Sequence, residues 1–377
     1  MLRPSLLSFY ILALSSIVYA KPSFHAALQD IRIQARQQDG NNNHSVVLLA
    51  DLATNGDVTR SGEIIRNILQ TTAPATVDNS IVYTRPDAVS KSGQGGLDSA
   101  VCRKDTCCIW SYIVPTMVTA FSENGGTRCS ALARSAIRMV PEFARDGSVG
   151  SGGADGSILL SAGELQRNEN RGLGNYANLI LSWRDTFRLY APGISVADLI
   201  QVGAIVATVT CPGGPRIRTF VGRPDVDDRI PPPAEHLLPN PASSASNILE
   251  LFAAKTFTAT DVVALVGAHT VSHQYVTEPK YAGFPQDTTA GVFDTKFYAE
   301  TGGAVPPVGV YSFESDKVLS TDAVTQPMWN DYAQPGAQTK WTDAYATAYF
   351  RLSLLGVQKL NGLTDCSGVL PLSKPVP

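Results

Sequence analysis

The chain has 377 residues, 44% of them hydrophobic, and a formal net charge of −3. That apolar content supports a large core, in one big domain or two small ones. The slightly acidic balance argues against a nucleic-acid partner. Beyond the N-terminus no apolar run reaches the roughly 18 residues that would mark a membrane span.

Residues 1–20 read as a secretory signal: Arg3, an apolar run over 6–18, then a small-residue exit around Val18-Tyr19-Ala20. An exported, soluble protein follows, with no membrane partner; a monomer is expected. In an exported chain Asn43-His44-Ser45 is a candidate N-glycan site. Residues 21–100 hold two amphipathic stretches, 24–37 and 61–70, the second with Ser61 as N-cap. Around them the chain is polar and turn-rich, as in Gln38-Asp39-Gly40-Asn41 and Ser90-Lys91-Ser92-Gly93. The region reads as a poorly ordered extension or pro-segment, with a small accessory domain as the alternative. From Cys102 onward apolar positions recur at helical spacing over 109–121, 129–140, 176–190, 196–209, 248–255, 261–272 and 343–358. Strand signals are few, so the expected architecture is mainly α, with proline-rich surface loops such as Pro231-Pro232-Pro233.

The most informative stretch is Asp261-Val262-Val263-Ala264-Leu265-Val266-Gly267-Ala268-His269-Thr270-Val271. It reads as a buried helix capped by Thr258 or Thr260, with Asp261 where the helix dipole favours an anion. Gly267 and Ala268 would let a flat ligand lie close to the backbone, and His269 is placed to be an axial metal ligand. A satisfied core histidine is the plain alternative. Upstream lie Gly152-Gly153-Ala154-Asp155-Gly156-Ser157, Val196-Ala197-Asp198-Leu199, Cys211-Pro212-Gly213 and Gly222-Arg223-Pro224-Asp225. Downstream come Phe293-Asp294-Thr295, Ser315-Asp316 and Thr364-Asp365-Cys366-Ser367.

In register over roughly 102–372, this set resembles the plant–fungal–bacterial haem peroxidases, and most of all the secreted fungal, class II branch. The resemblance implies a domain over 101–372 with two helical halves enclosing haem, few or no strands, and the distal half first. It implies one haem b on His269, with Asp316 holding the other ring nitrogen; a carboxylate there makes the imidazole more basic. It implies a proximal calcium site at Thr270, Asp287, Thr289, Asp294 and the Val292 carbonyl, the hard oxygens that calcium prefers. Six cysteines suit an oxidising compartment, but sequence alone does not choose their pairing. The resemblance implies Cys102–Cys108, Cys107–Cys366 and Cys129–Cys211, without the family's usual fourth bridge.

The distal side departs from the pattern. The family has an arginine, then phenylalanine, histidine and aspartate three, four and five positions on. Here Arg138 is followed by Pro141, Glu142 and Phe143, and the only histidines are His25, His44, His236, His269 and His273. Peroxide activation needs a group that takes a proton from one oxygen and returns it to the other. A carboxylate can do so, and haem–thiolate peroxidases resemble that solution. Glu142 is therefore the candidate acid–base group, with Arg138 stabilising the departing oxygen and Asn170 at the family's orienting position. Pro141 works against this, since it disfavours helix at Val140 and can turn Glu142 away. At the distal calcium site Gly153, Asp155 and Ser157 remain, Phe143 offers only a carbonyl, and the loop from Glu142 to Asp155 is shorter than usual. The three acids of manganese-oxidising members are matched by Ala131, Ser135 and Tyr275, and the surface tryptophan of lignin-oxidising members by Ala264.

Two readings of function follow. The first is an exported peroxidase that reduces hydrogen peroxide and oxidises small phenolic donors by single electrons. The second is a haem-binding protein on the same scaffold whose distal chemistry has lapsed, acting in binding or at the cell surface. A peroxygenase-like enzyme is a third, disfavoured by histidine rather than thiolate ligation.

Overall fold

A computed structural model describes residues 50–86, 96–143, 153–226, 238–303 and 305–377, and for 140–143 it describes backbone only. Residues 1–20, read as a secretory signal, the 24–37 stretch and Asn43 lie outside these residues. The chain opens with helices α1 (Ala50–Thr54) and α2 (Arg60–Leu69). Thr59, not Ser61, caps α2: its hydroxyl accepts from the Gly62 amide at 3.0 Å. Thr59 Oγ1 also donates to the Asn361 carbonyl at 2.9 Å, so a tertiary contact selects the cap.

The part of the extension within view is tied to the body. Asp51 accepts from the Leu360 amide at 2.7 Å, and Tyr83 donates its hydroxyl to Asp105 at 2.8 Å and its amide to the Gly368 carbonyl at 2.8 Å. Leu52, Ile65, Ile68 and Val77 join the same continuous apolar core as Leu360 and Leu370. Over 50–86, then, apolar burial and capping contacts supply the order that the polar, turn-rich sequence did not suggest.

Helices α3 (Trp110–Phe121), α4 (Ala131–Phe143), α5 (Ser157–Leu160), α6 (Gly174–Phe187) and α7 (Val196–Thr210) make the first half. The centre is α7, buried along its whole length and packed by α3, α4 and α6. A helix apolar on every side has to be interior. Ser195 caps it, accepting from the Asp198 amide at 3.0 Å. Its one carboxylate, Asp198, meets Arg223 at 3.0 Å, with both side chains buried. Arg223 also donates to the Ser353 carbonyl at 3.0 and 3.1 Å, so the buried pair is fully bonded, as a buried charge must be.

The second half holds α8 (Ala245–Ala253), α9 (Ala259–Val266), α10 (Lys296–Thr301), α11 (Glu314–Thr321), α12 (Gln326–Tyr332) and α13 (Gln338–Leu352), with α9 packed on α13. Periodicity missed α10, α11 and α12, which are too short to show it. Two antiparallel ribbons are the only sheets among the described residues: β1 (Ser122–Glu123) with β2 (Arg128–Cys129), and β3 (Phe220–Val221) with β4 (Thr364–Asp365). Three disulfides form, Cys102–Cys108, Cys107–Cys366 and Cys129–Cys211. Among the described residues no helix is long and apolar enough to cross a membrane.

Candidate functional site

Helix α9 is built to end at His269. Thr258 caps it, and Asp261 returns a bond to the Thr258 amide at 2.8 Å, a reciprocal capping box. After Val266 the winding tightens into a 3-10 turn, Gly267–Val271. Two side chains then donate to carbonyls of the last α turn: Tyr298 Oη to Val263 at 2.7 Å and Trp341 Nε1 to Ala264 at 3.0 Å. A Cβ on Gly267 would lie 2.2 Å from Tyr298 Oη and 2.5 Å from Trp341 Nε1. Gly267 therefore makes room for these two donors, and not for a flat ligand as the sequence suggested.

His269 Nδ1 sits 2.9 Å from Asp316 Oδ2. Asp316 is buried on the first turn of α11, and its second oxygen has no hydrogen-bond partner. Phe297 and Phe313 meet the imidazole edge-on at 5.6 and 5.7 Å between centroids. With Nδ1 committed and the ring clamped, Nε2 is the nitrogen left to ligate. Along the same turn Leu265, Val266 and Ala268 are half-exposed, an apolar strip of the kind a porphyrin would cover. These residues fit an iron porphyrin.

One residue on, Thr270 leads into a buried oxygen cluster. Thr270 Oγ1 lies 2.5 Å from Asp287 Oδ2, 3.3 Å from the Val292 carbonyl and 3.5 Å from Asp294 Oδ1. Thr289 Oγ1 lies 3.3 Å from Asp287 and 3.1 Å from Asp294. Burial pushes the Asp287 carboxyl up to about 7, and the charges of Asp294 and Glu300 add to the rise. Among the described residues neither Asp287 nor Asp294 has an ion-pair partner, and no group of three or more His, Cys, Asp or Glu side chains forms a metal cage. A site drawn from two carboxylates, two hydroxyls and a carbonyl suits a hard dication, which would offset the buried charge.

On the distal side α4 stays helical through Pro141 to Phe143, so Pro141 does not end the helix. The side chains of Pro141, Glu142 and Phe143 lie outside the described residues. Arg138 forks onto the carbonyls of Arg171 and Glu169, each at 2.8 Å, the two residues that flank Asn170. Asn170 is buried; its Nδ2 donates to the Glu164 carbonyl at 2.6 Å, and its Oδ1 has no hydrogen-bond partner. Arg138 and Asn170 are thus held as one unit. Gly153, Asp155 and Ser157 also share one tight loop, in which Asp155 Oδ1 accepts from the Ser157 amide at 3.0 Å. A Cβ on Gly153 would fall 2.4 Å from the Leu355 carbonyl, so this glycine serves close backbone packing. Of the positions aligned with specialised substrate sites, Ala131 and Tyr275 are exposed, Ser135 is half-exposed and Ala264 is buried. Sequence reasoning did not find Phe297, Phe313, Tyr298 or Trp341, because no local pattern links them to His269.

A family model described as Peroxidase matches residues 117–335. Ligninase LG2 of Phanerodontia chrysosporium is 30% identical over 327 residues, covering 80% of this chain and 83% of its own length. A peroxidase of Coprinopsis cinerea is 29% identical over 309 residues, 74% of this chain and 82% of its own. Manganese peroxidase 3 of Phlebia radiata is 32% identical over 251 residues, 62% and 67% respectively. A match of this extent, over a chain that sets a clamped histidine at the end of α9, places it in the haem peroxidase family beside the fungal class II members, as an enzyme with peroxidase activity.

Proposed function

We propose that the chain is exported, binds haem b through His269, and couples the reduction of hydrogen peroxide to single-electron oxidation of small phenolic donors. The observation that carries this is the His269–Asp316 contact at 2.9 Å, at the end of a helix whose last turn leaves Leu265, Val266 and Ala268 half-exposed. Bound haem would supply the iron that exchanges electrons with peroxide and donor. The protein does the rest. Asp316 accepts from Nδ1–H and keeps His269 an electron-rich ligand. Arg138, held beside Asn170, supplies positive charge toward the oxygen that leaves as peroxide splits. Glu142, on the last turn of α4, takes the first peroxide proton and hands it to the departing oxygen. Asn170 Oδ1, buried without a partner, offers an acceptor that would hold the protonated Glu142 carboxyl. Calcium at Thr270, Asp287, Thr289, Val292 and Asp294 would brace the turn that carries His269. At the distal loop, Gly153, Asp155 and Ser157 would hold a second calcium ion with the Phe143 carbonyl.

The test is rapid mixing of haem-loaded protein with peroxide while the Soret band is followed. The parent should change its Soret band quickly and return as a small phenol is added. His269→Ala should lose stoichiometric haem. A parent that holds haem but leaves the band unmoved points instead to the lapsed, haem-binding reading.

A further inference from the structure

Two arginines and a histidine meet at the seam between the two halves. Arg134 stands one turn before Arg138 on α4, so the two share a face of that helix. His273 lies just past the 3-10 turn that carries His269. Arg128 comes from β2. Arg134 Nη1 donates to the Cys129 carbonyl at 3.3 Å, which draws its guanidinium to the residue after Arg128. Arg128 itself lies along the loop over 285–291. Its Nη2 donates to the Ala290 carbonyl at 2.5 Å, and its Nε lies 2.9 Å from where a Cβ on Gly291 would be. The Cys129 amide donates to the Gly291 carbonyl at 2.9 Å. The other end of that loop, Pro285, pairs with His273.

These groups carry positive charge with little to match it. Burial works against the charge on Arg134, and Arg128 presses the same way; Glu123, opposite Arg128 in the β1–β2 ribbon, offsets them in part. Among the described residues neither arginine forms an ion pair. An arginine keeps its charge at any ordinary pH, so a half-buried one without a partner calls for an anion. Burial, then Arg134 and Arg128, hold His273 neutral down to about 4, and its Nε2 is buried without a partner. Tyr275 is exposed, with its ring 6.3 Å from the His273 ring and tilted 32° from it, a flat wall beside the charges. Ala131 and Ser135, exposed and half-exposed on α4, are too short to cover the Arg134 guanidinium.

We propose that Arg134, Arg128, His273 and Tyr275 form a binding site for aromatic donors that carry a carboxylate, so that phenolic acids are preferred over neutral phenols. It rests on the reading of the chain as a haem peroxidase that oxidises phenols. The Arg134 donors not spent on Cys129 take the carboxylate in charge-assisted bonds. Arg128 adds charge from the rim. His273 Nε2, in the tautomer that carries its proton there, gives a further donor. The ring of the ligand lies against Tyr275. The sign of the patch excludes a metal cation as its occupant. Once bound, the donor loses one electron to the peroxide-oxidised centre beside His269 and its phenolic proton to solvent, and its carboxylate is unchanged. Two donors leave as phenoxyl radicals for each peroxide reduced to water.

The experiment uses the full chain loaded with haem. Without peroxide, equilibrium dialysis compares para-hydroxyphenylacetate with its neutral amide. The parent should hold the carboxylate about tenfold more tightly, the scale of one charge-assisted contact. That preference should shrink toward unity in about 1 M salt. Arg134→Gln should bring the ratio near unity, and Arg134→Lys should keep part of it. Arg128→Gln, made on an exposed side chain, should cut it about threefold. With peroxide, the ratio of kcat/KM for the two donors should follow the same order, and a ratio cancels any general loss of fold or haem. Equal affinity for both compounds in a parent with a normal Soret response overturns the site and leaves the peroxidase reading intact. A preference that survives Arg134→Gln overturns it too; if that variant loosens haem instead, haem's own carboxylates occupy the arginine. Carboxylate binding through Arg134 in a parent whose Soret band ignores peroxide overturns the donor role together with the peroxidase reading.

Discussion

At the scale of single residues, Glu142 and His273 each carry a testable pH dependence. Glu142 stands where a histidine is expected, and as a base it has to be ionised. Peroxide activation should therefore slow as pH falls through the pKa of its carboxyl. Positioned acid–base groups typically contribute about 10²–10⁴-fold, so Glu142→Gln should slow the Soret change by at least about tenfold. Equal rates for parent and variant across the acidic range would remove Glu142 from the chemistry. His273 acts on stability. Burial pushes it down from 6.5 to about 4, and the nearby charges of Arg134 and Arg128 press the same way. Its Nε2 is buried without a partner. Below pH 6.5 the unfolded chain takes a proton that the folded chain refuses, so this group costs stability progressively as pH falls toward 4. Urea midpoints of His273→Gln should fall less steeply than the parent's over that window. Parallel curves would show that His273 is not the source.

At the scale of elements, the decisive unit is α9 with the 3-10 turn after it. Its start is fixed locally by Thr258 and Asp261, and its end is fixed by Tyr298 and Trp341. Thr270 couples that end to the oxygen cluster of Asp287, Thr289, Val292 and Asp294. A cation bound there only in the folded state raises stability with its concentration. Chelation should lower the Tm and loosen haem on His269. Asp287→Ala should lose one calcium per chain and become insensitive to the chelator. Unchanged metal content and Tm in that variant would dismiss the site.

At the scale of the whole molecule, distant segments are stapled beside the first core helix. Cys107–Cys366 closes a separation of 259 residues, next to the β3–β4 ribbon. Arg216 donates to the carbonyls of Asp78, Ile81 and Leu370 at 2.6, 2.7 and 3.1 Å. The N-terminal segment, the first half and the C-terminus thus meet at one guanidinium. Replacing both Cys107 and Cys366 by serine should cost about 2–5 kcal/mol, measured by urea unfolding at constant haem loading. A loss near zero would mean that Arg216 and the apolar contacts hold the ends unaided.

The sequence by itself determined the long helices, since their apolar spacing is local, whereas Asp316 and the five oxygens proposed for calcium were picked out only through a family resemblance. The sequence left the cap of α9 open between Thr258 and Thr260, and the reciprocal bonds of Thr258 and Asp261 decide it. The structure alone decided why Gly267 is a glycine, because Tyr298 and Trp341 reach that spot from α10 and α13. It alone kept α4 helical through Pro141, against local preference. It alone drew 50–86 into the core, through Asp51, Thr59 and Tyr83 meeting residues some 300 positions away or just across the first disulfide. Each of these depends on contacts between segments remote in sequence, whose energy no local pattern records.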